Sequence, residues 1–333
     1  MKLASIETIT DRIHHPNADN LDLVKVLGWQ VITKRDEFKK GDKVVFITID
    51  TILPKAPWSE FLADKKNPDA FIRLKTIKLR GSYSQGLVLP LSVLPENVQG
   101  WHEGADVGGA LGIKKYEKEI PAQLSGEVLG GFPNYICAQT DEDNGLSNPE
   151  LVDEVLKSDW ITVTRKLDGS SCTIIIEDGK IAQVCSRRLS LKETEQNSFW
   201  KAARKLDLSK CDNDRYVIQG ELMGPGIQGN QLKLLEPELY VFQIRTNGRF
   251  DSYVSMVCAC RNIFGCKYVK CIDNYGTKDK KLTLDWFQEL ADKQTLPNGE
   301  PAEGIVVRPL KYPTAGNGRP LSFKIINRNY KEL

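Results

Sequence analysis

Val163-Thr164-Arg165-Lys166-Leu167-Asp168-Gly169-Ser170-Ser171 joins two β-branched runs, Trp160-Ile161-Thr162-Val163 before it and Cys172-Thr173-Ile174-Ile175-Ile176 after it. The pattern reads as strand, tight loop, strand. A lysine at a strand end can be held rigidly at the mouth of a pocket, and the glycine lets backbone come close to a ligand phosphate. A solvated hairpin turn has the same look, and Lys-x-Asp-Gly recurs by chance in average compositions. The rest of the chain has to decide between them.

The 333 residues suffice for two domains, each able to bury a core. Because 46 basic side chains stand against 44 acidic ones, the net charge is only +2, and any polyanion site has to be local rather than a global field. No run of about 18 apolar residues crosses a bilayer, and Met1 to Thr10 lacks the apolar stretch of a signal peptide. The expectation is a soluble intracellular protein, cytoplasmic or nuclear, without membrane contact. Cys137, Cys172, Cys185 and Cys211 are scattered singly in apolar runs, where a reduced thiol packs as a small hydrophobe. Cys258, Cys260, Cys266 and Cys271 lack the paired C-x2-C spacing of zinc sites. The histidines, His14, His15 and His102, are too few and too badly spaced for a histidine metal centre.

Short strands are expected at Leu3 to Ile9, Leu21 to Leu27, Trp29 to Thr33, Lys43 to Ile49, Phe71 to Leu79 and Gly86 to Leu91, with turn signals at Asn17-Ala18-Asp19-Asn20, Lys40-Gly41-Asp42 and Arg80-Gly81-Ser82. Five or six strands in this length fit an OB-fold barrel. His15-Pro16-Asn17-Ala18-Asp19-Asn20-Leu21 resembles the segment near the start of OB-fold tRNA-binding modules. Basic residues recur in Arg73-Leu74-Lys75-Thr76-Ile77-Lys78-Leu79-Arg80, where one strand would set several on one face for phosphate contact or for edge protection. Glycine-rich sequence up to Gly112 and the charged run Lys114 to Glu119 mark a linker. Beyond it, helices are expected at Pro149 to Lys157, Glu193 to Leu206 and Leu284 to Asp292, among strands at 160–186, 216–221, 239–244, 304–308 and 321–326.

Later stretches set charged residues beside glycine or apolar runs: Ser186-Arg187-Arg188, Gln219-Gly220-Glu221, Tyr240-Val241-Phe242, Glu303-Gly304-Ile305-Val306-Val307 and Phe323-Lys324-Ile325-Ile326. In this order, with Lys166-Leu167-Asp168-Gly169 at their head, they resemble the motifs of the covalent nucleotidyltransferase superfamily, comprising DNA ligases, RNA ligases and mRNA capping enzymes. Only nine residues follow Lys324, which leaves no place for the OB domain that DNA ligases and capping enzymes carry after the fifth motif. An OB domain placed first is similar to a family of ATP-dependent RNA ligases, as are Phe132-Pro133-Asn134-Tyr135, Thr140-Asp141-Glu142 and Gly224-Pro225-Gly226-Ile227-Gln228-Gly229-Asn230. Two positions depart from the pattern. Arg165 stands where many ligases have Glu, and Ile326 where a second lysine is common.

The resemblance implies an α+β chain: an OB-fold β-barrel in residues 1–110, a linker over 111–130, and a nucleotidyltransferase domain of antiparallel sheets flanked by helices in 131–333. It implies an ATP-dependent ligase that joins RNA 3′-OH and 5′-phosphate ends, as in repair of a nicked duplex, through a lysyl-AMP intermediate, and that acts as a monomer. A DNA ligase, a GTP-dependent capping enzyme and a non-catalytic RNA-binding module are the alternatives. By the resemblance Lys166 is the nucleophile, Lys324 contacts the α-phosphate, Glu221 binds the ribose, Phe242 stacks on adenine, and Arg187 or Arg188 reaches the ribose or the incoming 5′-phosphate. Arg165 and Glu303 complete the nucleotide site. A free lysine near pKa 10.4 is only about 0.1% neutral at pH 7.4, a handicap of roughly 4 kcal/mol. Asp168 and Glu303 alone would deepen it, so the expectation is that they hold Mg²⁺ or Mn²⁺, whose charge opposes protonation of Lys166.

Overall fold

The computed structural model describes residues 2–64, 67, 70–98, 101–116, 127–212, 214–278, 282–311 and 320–331. The chain divides into two compact units, Met1–Glu119 with Leu146–Pro149, and Ile120–Gly145 with Glu150–Leu333. Residues 117–126 of the expected linker, with the end of its charged run, lie outside the described residues. Of its described ends, Lys114 and Lys115 pair with Ile52 and Thr51 in the first unit, and Val128–Gly131 pairs with Leu189–Leu191 in the second.

The first unit is an OB-fold, built on a curled antiparallel sheet in the order Trp29–Lys34, Leu21–Val26, Ala4–His14, Lys43–Ile47, Leu87–Pro90. Its first strand serves two neighbours. Ala4 to Thr8 pairs with Lys43–Ile47, and after a register shift between Ile9 and Asp11 the remainder pairs with Leu21–Val26. An extra residue in one strand bends it, and that bend curls the sheet over its core. Ile6, Val45, Ile47, Leu53, Ile72 and Leu89 fill the inside.

The expected single strand from Phe71 to Leu79 is corrected to two, Ile72–Leu74 and Ile77–Leu79, which belong to different sheets. Ile72–Leu74 pairs with Thr51–Leu53, and Ile77–Leu79 folds back on Ser82–Ser84. The basic run therefore has no common face. Arg73 is bound to Asp50 at 2.6 Å and lies 3.6 Å over the Tyr116 ring, so long-range partners rather than local alternation decided its place.

Asp22 is 1% exposed and accepts from Asp36 N–H at 2.8 Å, His14 Nδ1 at 2.8 Å and Arg12 Nε at 2.9 Å. Burial alone would raise its pKa, but the Asp36 N–H, His14 and Arg12 outweigh burial and hold the carboxyl below its ordinary value. Its stabilisation is then complete above the unfolded pKa near 4 and is lost as pH falls through the lower folded one. Asp22→Asn is expected to cost the first unit about 2 kcal/mol at neutral pH. Denaturant unfolding at pH 7 and pH 3 checks it, since the gap between native and variant proteins should close in acid.

The second unit is rich in sheet, with few helices. Val128–Gly131, Leu189–Leu191, Lys180–Cys185, Ser170–Glu177, Tyr216–Met223, Glu238–Thr246 and Arg249–Phe250 follow one another in one sheet, and Lys267–Tyr268 joins it in parallel. A second sheet runs Asp143–Asn144, Phe323–Ile326, Gly304–Pro309, Trp160–Lys166, Cys271–Gly276. Ile174, Ile176, Ile218, Val241 and Ile244 of the first sheet pack with Trp200, Met256 and Phe264. In the second, Phe323 meets Phe287 of the helix Leu284–Asp292 edge-on at 5.2 Å.

The helix expected from Glu193 to Leu206 is shorter, Ser198–Ala203. Asn197 caps it, its side chain accepting from the N–H groups of Phe199 and Trp200 at 2.9 and 3.1 Å, and a residue in that role has non-helical backbone. The helix Tyr253–Asn262, which carries Cys258 and Cys260, and the strand Cys271–Gly276 had no counterpart in the sequence reading. Cys137, Cys172 and Cys185 are buried among apolar side chains. Among the described residues no helix is long and apolar enough to cross a membrane.

Candidate active site

Lys166 is the last residue of the strand Trp160–Lys166, and strand alternation fixes its direction. Ile161 and Val163 are fully buried on one face, and Arg165 follows on that side, opposite Ile305, itself fully buried. Thr162, Thr164 and Lys166 turn to the other face. Arg165 is therefore not brought to the lysine amine, and its Nε is buried with no hydrogen-bond partner. Glu303 closes on Lys166 from the turn before Gly304–Pro309, with Oε2 2.5 Å from Nζ. Burial pulls the lysine pKa down, yet Glu303, Glu221 and Asp168 push harder and leave it above its ordinary value. As found, the amine is an ammonium.

Past the lysine, the loop turns back into Ser170–Glu177. A Cβ on Gly169 would lie 2.3 Å from the Leu222 carbonyl oxygen and 2.6 Å from Met223 Sδ. The close approach that requires glycine is therefore to the neighbouring strand, and the expected phosphate contact is not what demands it. The same tight seat lets Gly169 N–H donate to Glu221 Oε1 at 3.0 Å. Burial raises the Glu221 carboxyl, Lys166 draws it back, and the like charges of Glu303 and Asp168 help leave it pushed up to about 8. Glu303 is raised as well, by burial first and by Asp168, against the pull of Lys166. The Tyr330 hydroxyl donates to Asp168 Oδ2 and accepts from Gln231 Nε2 at 2.7 Å. Burial and that carboxylate raise the Tyr330 pKa, so it stays a donor.

A five-residue strap, Thr140 to Asn144, touches both sheets. Thr140 Oγ1 is 2.7 Å from Ser171 Oγ in one. Asp143 and Asn144 pair in parallel with Phe323 and Lys324 in the other. Between these anchors, Asp141 lies 3.4 Å from Lys324 Nζ and 2.7 Å from an Arg187 terminal nitrogen, and Glu142 pairs with Arg308. The Arg308 guanidinium is 5.7 Å from the Phe242 ring centroid. Of the two arginines that the sequence left unseparated, Arg187 joins this cluster through Asp141. Arg188 holds Phe132, whose N–H donates to its carbonyl at 2.8 Å.

Lys166, Asp168, Glu221, Glu303 and Lys324 thus share one set of electrostatic contacts, and Phe242 with Arg308 forms a flat apolar and cationic surface joined to it by the strap. No role for Asp141, Glu142, Arg308 or Tyr330 was evident before folding. The first two lie in a quoted motif and Arg308 directly follows another, whereas nothing in the polar tail around Tyr330 singles it out.

Three carboxylates, two of them with raised pKa, thus surround one ammonium. Among the described residues no three His, Cys, Asp or Glu side chains gather closely enough to hold an ion by themselves. A magnesium-type ion takes one or two protein carboxylates beside its waters and substrate phosphates, and the carboxylates placed against Lys166 can supply that many.

Residues 159–326 match the family model described as RNA ligase, and residues 3–91 match one described as an OB-fold domain. Solved structures of a Naegleria gruberi RNA ligase are similar over nearly the whole chain. A variant in apo form is 32% identical, with 98% of this chain and 97% of that chain covered and a TM-score of 0.84. A variant with ATP and Mn is 31% identical over 98% and 97%, with a TM-score of 0.83. The enzyme with PPi is 32% identical over 98% and 97%, with a TM-score of 0.81. No curated protein sequence matches the chain.

Proposed function

This chain belongs to the RNA ligase family, and from that premise we propose how its own residues carry out ATP-dependent joining of RNA 3′-OH and 5′-phosphate ends. It is a ligase, and RNA is its substrate. The observation that carries the mechanism is the 2.5 Å contact of Lys166 Nζ with Glu303 inside a group of three carboxylates. An amine so placed is the nucleophile once it has lost its proton. Neutral Lys166 attacks the α-phosphorus of ATP: a P–N bond forms, and the bond to pyrophosphate breaks with its electrons leaving on pyrophosphate. AMP then passes from Lys166 to the RNA 5′-phosphate, and the 3′-OH displaces AMP to make the phosphodiester.

Asp168 and Glu303 would hold a divalent cation, Mg²⁺ or Mn²⁺, whose charge would oppose protonation of Lys166 and offset charge on the α-phosphate. Lys324 exchanges Asp141 for the α-phosphate and stabilises charge developing there as a point charge. Glu221, held by Gly169 N–H, accepts from the ribose hydroxyls. Phe242 stacks on adenine, a contact worth about 1–3 kcal/mol by comparison with nucleobases on aromatic rings. Arg187 takes the incoming 5′-phosphate when Asp141 releases it. Arg165 serves the nucleotide through backbone alone, its side chain being on the far face.

We assign residues 1–110 to the OB domain, 111–130 to the linker and 131–333 to the nucleotidyltransferase domain. We further propose a monomer acting on nicked duplex RNA inside the cell, cytoplasmic or nuclear. ATP and RNA as substrates and eight free thiols support that compartment. Purified protein incubated with labelled ATP and Mg²⁺ should form an alkali-stable, acid-labile adduct, as a P–N bond requires, that GTP does not give, and should seal a nick with an RNA 3′-OH faster than one with a DNA 3′-OH. An adduct from GTP, or preference for the DNA end, overturns the reading.

A further inference from the structure

The motif His15-Pro16-Asn17 and the basic residues after Arg73 were separate signals in the sequence, and the mechanism above uses neither. The fold ties them together. His15 is 5% exposed, with Nε2 3.2 Å from the Leu79 carbonyl oxygen. Asn17 Nδ2 donates to the Arg80 carbonyl at 3.0 Å. Both residues belong to the turn between the first and second strands of the curled sheet. Leu79 and Arg80 lie in the long connection between its fourth and fifth strands, Lys43–Ile47 and Leu87–Pro90.

Those two connections, with the face of strands two and three, are where OB-folds take oligonucleotides. Here they are bonded to each other and to the third strand. Gln30 Nε2 donates to the Tyr83 carbonyl at 2.9 Å, and Ile32 N–H donates to Ser84 Oγ at 3.0 Å. The resulting hairpin, Ile77–Leu79 against Ser82–Ser84, turns through Arg80 and Gly81 at φ 46° and 92°, the two-residue turn that matches strand twist. It is a stiff finger whose tip is stapled at two points.

The chemistry of the finger is one-sided. Lys75, Lys78 and Arg80 are exposed, and the stretch from Lys75 to Ser84 holds no acid. Among the described residues no carboxylate pairs with any of the three, whereas Arg73, just before them, is consumed by Asp50. Lys78 Nζ lies 4.9 Å over the Tyr83 ring, a contact that holds the ammonium near the surface without neutralising it. Ile77 and Leu79, 54% and 40% exposed, flank it. Unpaired cations on a rigid support suit a polyanion whose charges repeat along a strand.

We propose that this finger, Lys75 to Ser84 braced by His15 and Asn17, is a grip for the phosphodiester backbone of the RNA substrate, with Lys78 and Arg80 on phosphates. The proposal rests on RNA being the substrate, and sealing by the native chain is the control that separates failure of the grip from failure of that reading. Lys78→Ala combined with Arg80→Ala is compared with Lys39→Ala combined with Lys40→Ala, an equal loss of charge at exposed lysines in another turn of the same unit. Thermal unfolding confirms that both variants fold. On nicked RNA already carrying the 5′-adenylate, the first variant should show KM raised about tenfold, with kcat unchanged and the slope of log affinity against log salt smaller by about 1.5–2, as for two lost phosphate contacts. AMP transfer from ATP to protein should be unchanged, and the Lys39/Lys40 variant should match the native chain. Unchanged KM and slope, or equal loss in both variants, overturns the grip. So does a fall in AMP transfer without loss of RNA affinity, which would assign the finger to the nucleotide's pyrophosphate instead.

Discussion

Lys166→Ala protein is expected to take up no AMP from ATP, a loss of at least about 10⁴-fold, the scale seen when an enzyme's only nucleophile is removed. Lys324, the next cation of the site, cannot substitute. It sits across the sheet in register with Asn144 and Val306, with its amine turned to Asp141 at 3.4 Å. Lys166→Arg should be equally inert, because a guanidinium does not shed its proton near neutral pH. Sealing of RNA that already carries a 5′-adenylate should persist in the alanine variant, since no bond to Lys166 forms in that step. Mass spectrometry of the labelled native protein locates the adduct, and a label on another side chain would end the assignment.

Glu303→Gln should slow AMP transfer by about 10²–10³-fold, the cost of losing one preorganised charge contact at a reacting phosphate. The direction decides between two roles. Glu303 raises the proton affinity of Lys166, so if the ion pair were its whole purpose, removing it would leave more neutral amine at pH 7 and speed the reaction. A fall in rate, with more Mg²⁺ or Mn²⁺ needed for half-maximal activity, identifies the carboxylate as part of the cation's seat. An increase in rate with unaltered metal requirement would remove it from that role.

The candidate site was legible where its residues stand at the ends of strands. Trp160–Lys166, Gly304–Pro309 and Phe323–Ile326 are short apolar runs, the form a largely buried strand takes in sequence. Motif residues at their ends are then delivered to one place by strand register alone. Asp141, Arg308 and Tyr330 acquire meaning only from partners 46 to 183 positions away, such as Arg187 and Lys324 for Asp141, and no local period announces such partners. The fold misreadings have two causes, a distant strand in one case and a local cap in the other. The run from Phe71 to Leu79 was divided by Thr51–Leu53 claiming one half and Ser82–Ser84 the other, and Glu193 to Leu206 was shortened by a single asparagine cap. Gly169 was rightly singled out, but what it must approach is a carbonyl of its own chain.

The strap from Thr140 to Asn144 acts as a spacer gauge for the cleft. Its two anchors hold it to Ser171 in one sheet and to Phe323 and Lys324 in the other, and one residue of extended chain measures about 3.4 Å, the length of a long hydrogen bond. Lengthening or shortening it by one residue would put Asp141 out of reach of Lys324 or Arg187 while leaving every motif intact. Homologous chains that keep this chemistry have therefore to keep the length of that segment, even where its composition drifts.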